Sequence, residues 1–132
     1  MNELPTVIVI DDEPIVCERL KPALEKAGLQ VETYTESKAA QRRLEEKTFD
    51  VVVTDLKMNE LSGIQILKNV RAASAQTAVI IITGYATVEM AREALKIGAY
   101  DFIAKPFKIR DLRNLILKAL QERGLKISSP EQ

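Results

Sequence analysis

The chain has 132 residues, 46% hydrophobic and 29% charged, which suits one folded domain with a real core and excludes a disordered segment. Its 19 basic and 19 acidic residues cancel, so direct nucleic-acid binding by this segment, which needs a basic surface, is not expected. No apolar run reaches the roughly 18 residues of a membrane span, Glu3 and Pro5 interrupt any signal peptide, and the single cysteine permits no intrachain disulfide, a pattern that fits the cytoplasm.

The predicted elements alternate. A buried strand over 7–10 is followed by a helix over 13–27, with Pro14 in its first turn and Gly28 as its stop. Pro22 lies inside that helix, removes a hydrogen bond and should bend it. Cys17 falls on its apolar face and reads as a buried structural thiol. A second strand covers 30–34, and Ser37 is placed to cap a helix running to 46. Nearly continuous β-branched runs at 51–54 and 78–82 read as central parallel strands covered on both faces. A helix over 63–72 lies between them. A helix over 87–97 stops at Gly98, a short strand covers 101–104, and a last helix covers 109–123. On that last helix Leu112, Leu115, Ile116, Ala119 and Leu120 form one stripe. Five βα units in succession predict an α/β fold with one doubly wound, five-stranded parallel sheet. The domain is expected over 1–125, with 126–132 a flexible tail or the start of a linker.

Ligands of such folds bind beyond the carboxyl ends of the strands. Asp11 and Asp12 follow the first strand, Asp55 the third, Thr83 the fourth, and Lys105 the fifth, with Pro106 behind it. Three gathered carboxylates repel one another unless a cation joins them. An all-oxygen site suits Mg²⁺, or Mn²⁺, rather than zinc. Asp55 is the single acid at its strand end and so the best nucleophile for an aspartyl phosphate. Lys105 offers phosphoryl oxygens a point charge and Thr83 a hydrogen bond. The chain has no histidine. That excludes a Ser-His-Asp triad, a histidine metal ligand and a phosphohistidine carrier, so phosphoryl chemistry must run on carboxylates. Each group alone has an ordinary reading: Asp12 or Glu13 as a helix cap, Asp55 as a loop acid. Their joint placement at four strand ends carries the argument.

Asp11-Asp12-Glu13, Asp55, Thr83-Gly84 and Lys105-Pro106-Phe107 resemble the receiver domain of two-component response regulators, over about residues 5–123. The stretches 83–87 and 98–107 are similar to receivers of bacterial enhancer-binding transcription activators. The resemblance implies a flavodoxin-like (βα)5 fold, like that of chemotaxis receivers, with strand order 2-1-3-4-5. It implies that Asp55 accepts phosphate from the phosphohistidine of a sensor histidine kinase or phosphotransfer protein. Asp12 would bind Mg²⁺ directly, Asp11 through water, and Lys57 through its backbone carbonyl. Thr83 and Phe102 would form a switch pair, and Lys105–Pro106 would be a cis peptide. Lys57 and Tyr85 occupy positions that tune loss of the phosphoryl group, and a long-lived phosphoryl group is expected. One departure stands out: such receivers usually carry proline after the methionine that follows the acceptor, whereas Met58 here precedes Asn59. That puts the rigidity of the loop in doubt.

On the helix from Thr87, Val88, Ala91 and Leu95 are expected to face one way, and Met90 and Ile97 the other. Met90 and Ile97, with Asp101, Arg110 and Arg113, are a candidate output face for a partner, an output domain or a phosphorylation-dependent homodimer; two scattered surface apolars are the plain alternative. A haloacid-dehalogenase-type phosphatase would want Asp-x-Asp after the first strand, and a flavodoxin a hydroxyl- and glycine-rich loop there. The serious competitor is a receiver that is never phosphorylated and acts as a protein-protein interaction module. Its usual sign is loss of an acid, the threonine or the lysine, and none is lost.

Overall fold

The computed structural model describes residues 3–84 and 88–123. Strands and helices alternate as β1 (Thr6–Ile10), α1 (Pro14–Lys26), β2 (Gln30–Tyr34), α2 (Ser37–Glu46), β3 (Val51–Asp55), α3 (Gly63–Ala73), β4 (Ala78–Thr83), α4 (Val88–Ile97), β5 (Asp101–Ala104) and α5 (Ile109–Glu122). All neighbouring strands are parallel, in the order β2-β1-β3-β4-β5. This is the fold class and order expected. β3 and β4 each run one residue further than their apolar runs, so Asp55 and Thr83 sit on strand backbone rather than in loops. The Asp55–Ile82 pair belongs to the β3–β4 ladder.

Alternation along the strands builds two cores. Val7, Val9, Val51, Val53, Ile80 and Ile82 pack with Leu20 and Leu24 of α1 and Leu112, Ile116 and Leu120 of α5. Ile8, Ile10, Val52, Val79 and Ile81 pack on the other face, with Ala40 of α2, Ile66, Leu67 and Val70 of α3, and Ala94 of α4. Every residue of β3 and β4 is buried, which is why both strands read as unbroken apolar runs. Each fully buried Ile or Leu contributes about 1.5–3 kcal/mol relative to exposure. Cys17 is buried, and burial followed by the charge of Asp11 pushes its thiol pKa up. Both features are those of a structural thiol.

Two local expectations are corrected. Ser37 is not a helix cap. Glu36 is the N-cap of α2 and makes no side-chain cap hydrogen bond. The Ser37 hydroxyl instead donates to the Asn59 carbonyl (2.8 Å) and accepts from the Leu61 N–H (2.9 Å), outside its own helix. A hydroxyl at a helix start serves either purpose, and only the neighbouring loop decides. The facing of α4 is also reversed. Ala94 is the residue it buries, Met90 and Ile97 pack beside it against the core, and Leu95 is 44% exposed. Two apolar stripes compete on this helix, each with an alanine at its centre, and the one that packs on the core is Met90, Ala94 and Ile97. Met90 and Ile97 are therefore core-edge residues, which removes the oddity on which the output face was argued. Tyr85, Thr87 and the expected tail over 126–132 lie outside the described residues.

Candidate functional site: an acidic cleft at the carboxyl edge of the sheet

β1 delivers Asp11, β3 delivers Asp55, and the turn after β5 delivers Lys105. Carboxylate oxygens of Asp11, Asp12 and Asp55 lie within 4.8 Å of one another. Asp11 is fully buried and Asp55 is 6% exposed. Asp11 Oδ1 accepts from the Glu13 N–H at 2.9 Å. Its Oδ2 pairs with Lys105 Nζ at 2.8 Å. Neither Asp12 nor Asp11 caps α1; Glu13 is the N-cap and makes no side-chain cap bond.

Lys105 Nζ is the hub. It lies 2.6 Å from Glu13 and 3.1 Å from Asp55, besides Asp11. Burial opposes its charge, but the carboxylates of Asp11, Glu13 and Asp55 outweigh that and hold the ammonium above the usual lysine range. Asp55 is also shifted up from its ordinary value, which for a carboxyl disfavours the charged form. Burial first and the charge of Asp11 second push its carboxyl up, with Lys105 opposing them. One ammonium thus faces a crowd of acids, and the cluster has unmet negative charge. A small divalent cation with oxygen ligands answers that deficit. The donor set is the sign that the residues fit one: three carboxylates with oxygens within 4.8 Å of one another and a single lysine shared among the acids.

The site opens into a cleft of about 840 Å³ lined by Asp12, Glu13, Asp55, Lys57, Asn59, Ser62, Gly84 and Lys105, among others. A separate crevice of about 360 Å³ between α2 and α3, around Leu44 and Phe49, holds none of these groups. Thr83 is 2% exposed at the end of β4. Its backbone carbonyl accepts from the Lys105 N–H at 2.9 Å, and the Lys105–Pro106 peptide is cis. Thr83 shares a void of only about 10 Å³ with Leu56, Ile81, Met90, Ala91, Ala94 and Phe102. Asp101, Arg110 and Arg113 lie on β5 and α5 away from the acid cluster, as do Met90 and Ile97 on α4.

Two contributors escaped the sequence reading. Glu13 was read as motif and cap, but it holds Lys105. Gly63 was read only as a helix start. A Cβ there would fall 2.2 Å from the Asp55 carbonyl oxygen and 2.8 Å from Leu56 Cα, so α3 can abut the end of β3 only through glycine. A glycine opening a helix eight residues after the acid was the available signal.

Comparison with known proteins agrees with this geometry. The family described as the response regulator receiver domain matches residues 7–117. The chain is 34% identical over 126 residues to the regulatory protein AtoC of Escherichia coli, covering 96% of this chain and 27% of that protein. It is 34% identical over 117 residues to the response regulator protein PilR of Pseudomonas aeruginosa, covering 89% and 26%. The chain therefore spans about a quarter of the length of these relatives. Among solved structures, a response regulator receiver domain protein from Clostridium thermocellum superposes with a TM-score of 0.85 at 36% identity, covering 92% of this chain and 98% of that one. The beryllofluoride-activated NtrC4 receiver domain dimer gives 0.84 at 32% identity, covering 89% and 98%. With the acid cluster, the buried threonine and the lysine hub in place, the chain belongs to the response regulator receiver domains, the phosphoacceptor switches of two-component signalling.

Proposed function

We propose that Asp55 is the phosphoacceptor, fed by the phosphohistidine of a sensor histidine kinase or phosphotransfer protein. The observation that carries this reading is Lys105 Nζ, 3.1 Å from the Asp55 carboxylate and 2.8 Å from Asp11, within the three-acid cluster. Burial and the Asp11 charge oppose ionisation of Asp55, and the Lys105 ammonium beside it favours the ionised, nucleophilic form. Its oxygen forms the bond to phosphorus as the donor's bond to phosphorus breaks. Lys105 then meets the phosphoryl oxygens as a point charge and offsets the negative charge that phosphorylation adds. Asp11, Asp12, Asp55 and the Lys57 backbone carbonyl would hold Mg²⁺, with Mn²⁺ as substitute. When bound, such an ion supplies charge neutralisation at the transferring group.

Thr83 and Phe102 are the proposed relay. Ile81 pairs with Phe102 across the β4–β5 ladder, and Thr83 follows Ile81 on the same face of β4. The void between them has no room for a phenyl ring until Thr83 moves towards the acceptor. Output passes to a domain or partner beside α4 and β5. Met90, Ile97, Asp101, Arg110 and Arg113 frame that region, and Leu95 is its exposed apolar residue. A phosphorylation-dependent homodimer and a transcription-regulating output domain fit the names of the relatives. None of the described helices is long and apolar enough to cross a membrane, and we place the domain in the cytoplasm. The test is acetyl phosphate or beryllofluoride with Mg²⁺, followed by intact mass. A single adduct on the wild type and none on Asp55→Asn supports the reading; an unmodified wild type leaves the interaction-module alternative standing.

A further inference from the structure

The loop from Asp55 to α3 carries the Lys57 carbonyl, and it lacks the proline that stiffens it in similar domains. Both of its ends are nonetheless fixed. Gly63 N–H donates to the Leu56 carbonyl at 2.8 Å, and Ser62 with Gln65 forms a capping box on α3. The middle of the loop contains Glu60 at φ 71°, a left-handed conformation that side chains other than glycine adopt at a cost. Such a conformation persists only where its surroundings enforce it. Ser37 does so from another element. Its hydroxyl, on a residue 1% exposed, donates to the Asn59 carbonyl (2.8 Å) and accepts from the Leu61 N–H (2.9 Å), bracketing Glu60 on both sides. The other contact from α2 to this loop, Lys38 to Glu60 at 4.0 Å, is exposed on both partners and too weak to hold it.

We infer that Ser37 is a positioning residue for the metal-binding loop, standing in for the missing proline by clamping residues 59–61 to the start of α2. The inference rests on the reading of the Lys57 carbonyl as a Mg²⁺ ligand. It assigns the buried hydroxyl a task that neither helix capping nor core packing gives it.

The test compares the wild-type chain, Ser37→Ala and Ser37→Ala with Asn59→Pro by amide NMR. Amide exchange is measured without metal, and Mg²⁺ affinity by titration. In the wild type the Leu61 amide should exchange slowly. Ser37→Ala should speed that exchange and weaken Mg²⁺ binding about fivefold, the scale of a lost buried hydrogen bond. The added proline should recover much of the Mg²⁺ affinity while the Leu61 amide, still without its acceptor, remains fast. Unchanged Mg²⁺ affinity in folded Ser37→Ala would overturn the inference, as would a wild-type Leu61 amide that exchanges like an exposed one. If the wild type shows no Mg²⁺ response, the metal reading falls and the role falls with it; Leu61 exchange still reports separately whether Ser37 orders the loop. Should Ser37→Ala not fold, Ser37→Cys, a weaker donor and acceptor, takes its place with the same expectations.

Discussion

β3 has an aspartate at each end, and the two are opposites. Asp50 precedes the strand. Its Oδ2 accepts from the Thr6 N–H (2.8 Å) and the Thr6 hydroxyl (3.2 Å). Its backbone carbonyl accepts from the Ala78 N–H and from Arg123 Nη1. It joins β1, β4 and α5 at the amino edge of the sheet, and its carboxylate is held by hydrogen bonds. Asp55 ends the strand among other carboxylates, with one shared lysine and a pKa pushed up by burial and Asp11. The contrast teaches that satisfied charge in this fold is structural, whereas unmet charge marks the place where chemistry is expected. Substituting the two should separate the roles. Asp55→Asn should abolish the phosphoryl or beryllofluoride adduct completely, read by intact mass, while the protein stays folded.

Asp50→Ala should do the reverse. Removing the acceptor strands the Thr6 N–H, so stability should fall by about 2 kcal/mol, the scale of hydrogen bonds to a charged group. Adduct formation at Asp55 should persist. Urea unfolding beside intact mass reads both. An Asp50→Ala protein that keeps its stability, or loses its adduct while folded, would break the comparison.

Lys105→Met sharpens it from the other side. The acid cluster then loses its built-in cation, so the metal-free protein should be less stable than the wild type, most clearly at low salt. Mg²⁺ should restore more stability in the variant than it adds to the wild type. A ligand at 100 times its dissociation constant stabilises by about 2.7 kcal/mol, which thermal melts with and without Mg²⁺ resolve. Equal gains in the two proteins would show that the lysine and the metal do not answer the same charge.

The sheet was legible in the sequence because its information is local: β-branched runs, glycine stops and a charged or hydroxyl residue after each run. The acid cluster was legible for the same reason, since a parallel sheet brings its strand ends together without further detail. Asp50 was not, because its role depends on Thr6, which lies 44 residues away. Ser37 looked like a cap for want of the loop it braces. Met90 and Ile97 were turned outward because α4 carries two apolar stripes. Each stripe has an alanine at its centre, Ala91 or Ala94, so only the packing with Ile81 and the α3 layer shows that Ala94 is the buried one.

The smallest expected effect lies in pH. The Asp55 carboxyl holds its proton more tightly folded than unfolded, since burial and the Asp11 charge oppose ionisation. The stabilisation tied to that proton is complete below the unfolded value, near 4, and is lost as pH rises through the higher folded value. In metal-free solution, Asp55→Asn removes this dependence. The variant's stability relative to the wild type should therefore increase as pH rises from about 4, then level off once Asp55 is ionised in the folded wild type. Added Mg²⁺ should shrink the difference, because a cation at the cluster favours the ionised acid. Paired urea titrations of wild type and variant across the acid range measure the slope. A stability difference for Asp55→Asn that stays flat with pH would mean the carboxylate is as comfortable folded as unfolded, and the distinction between the two ends of β3 would then rest on geometry alone.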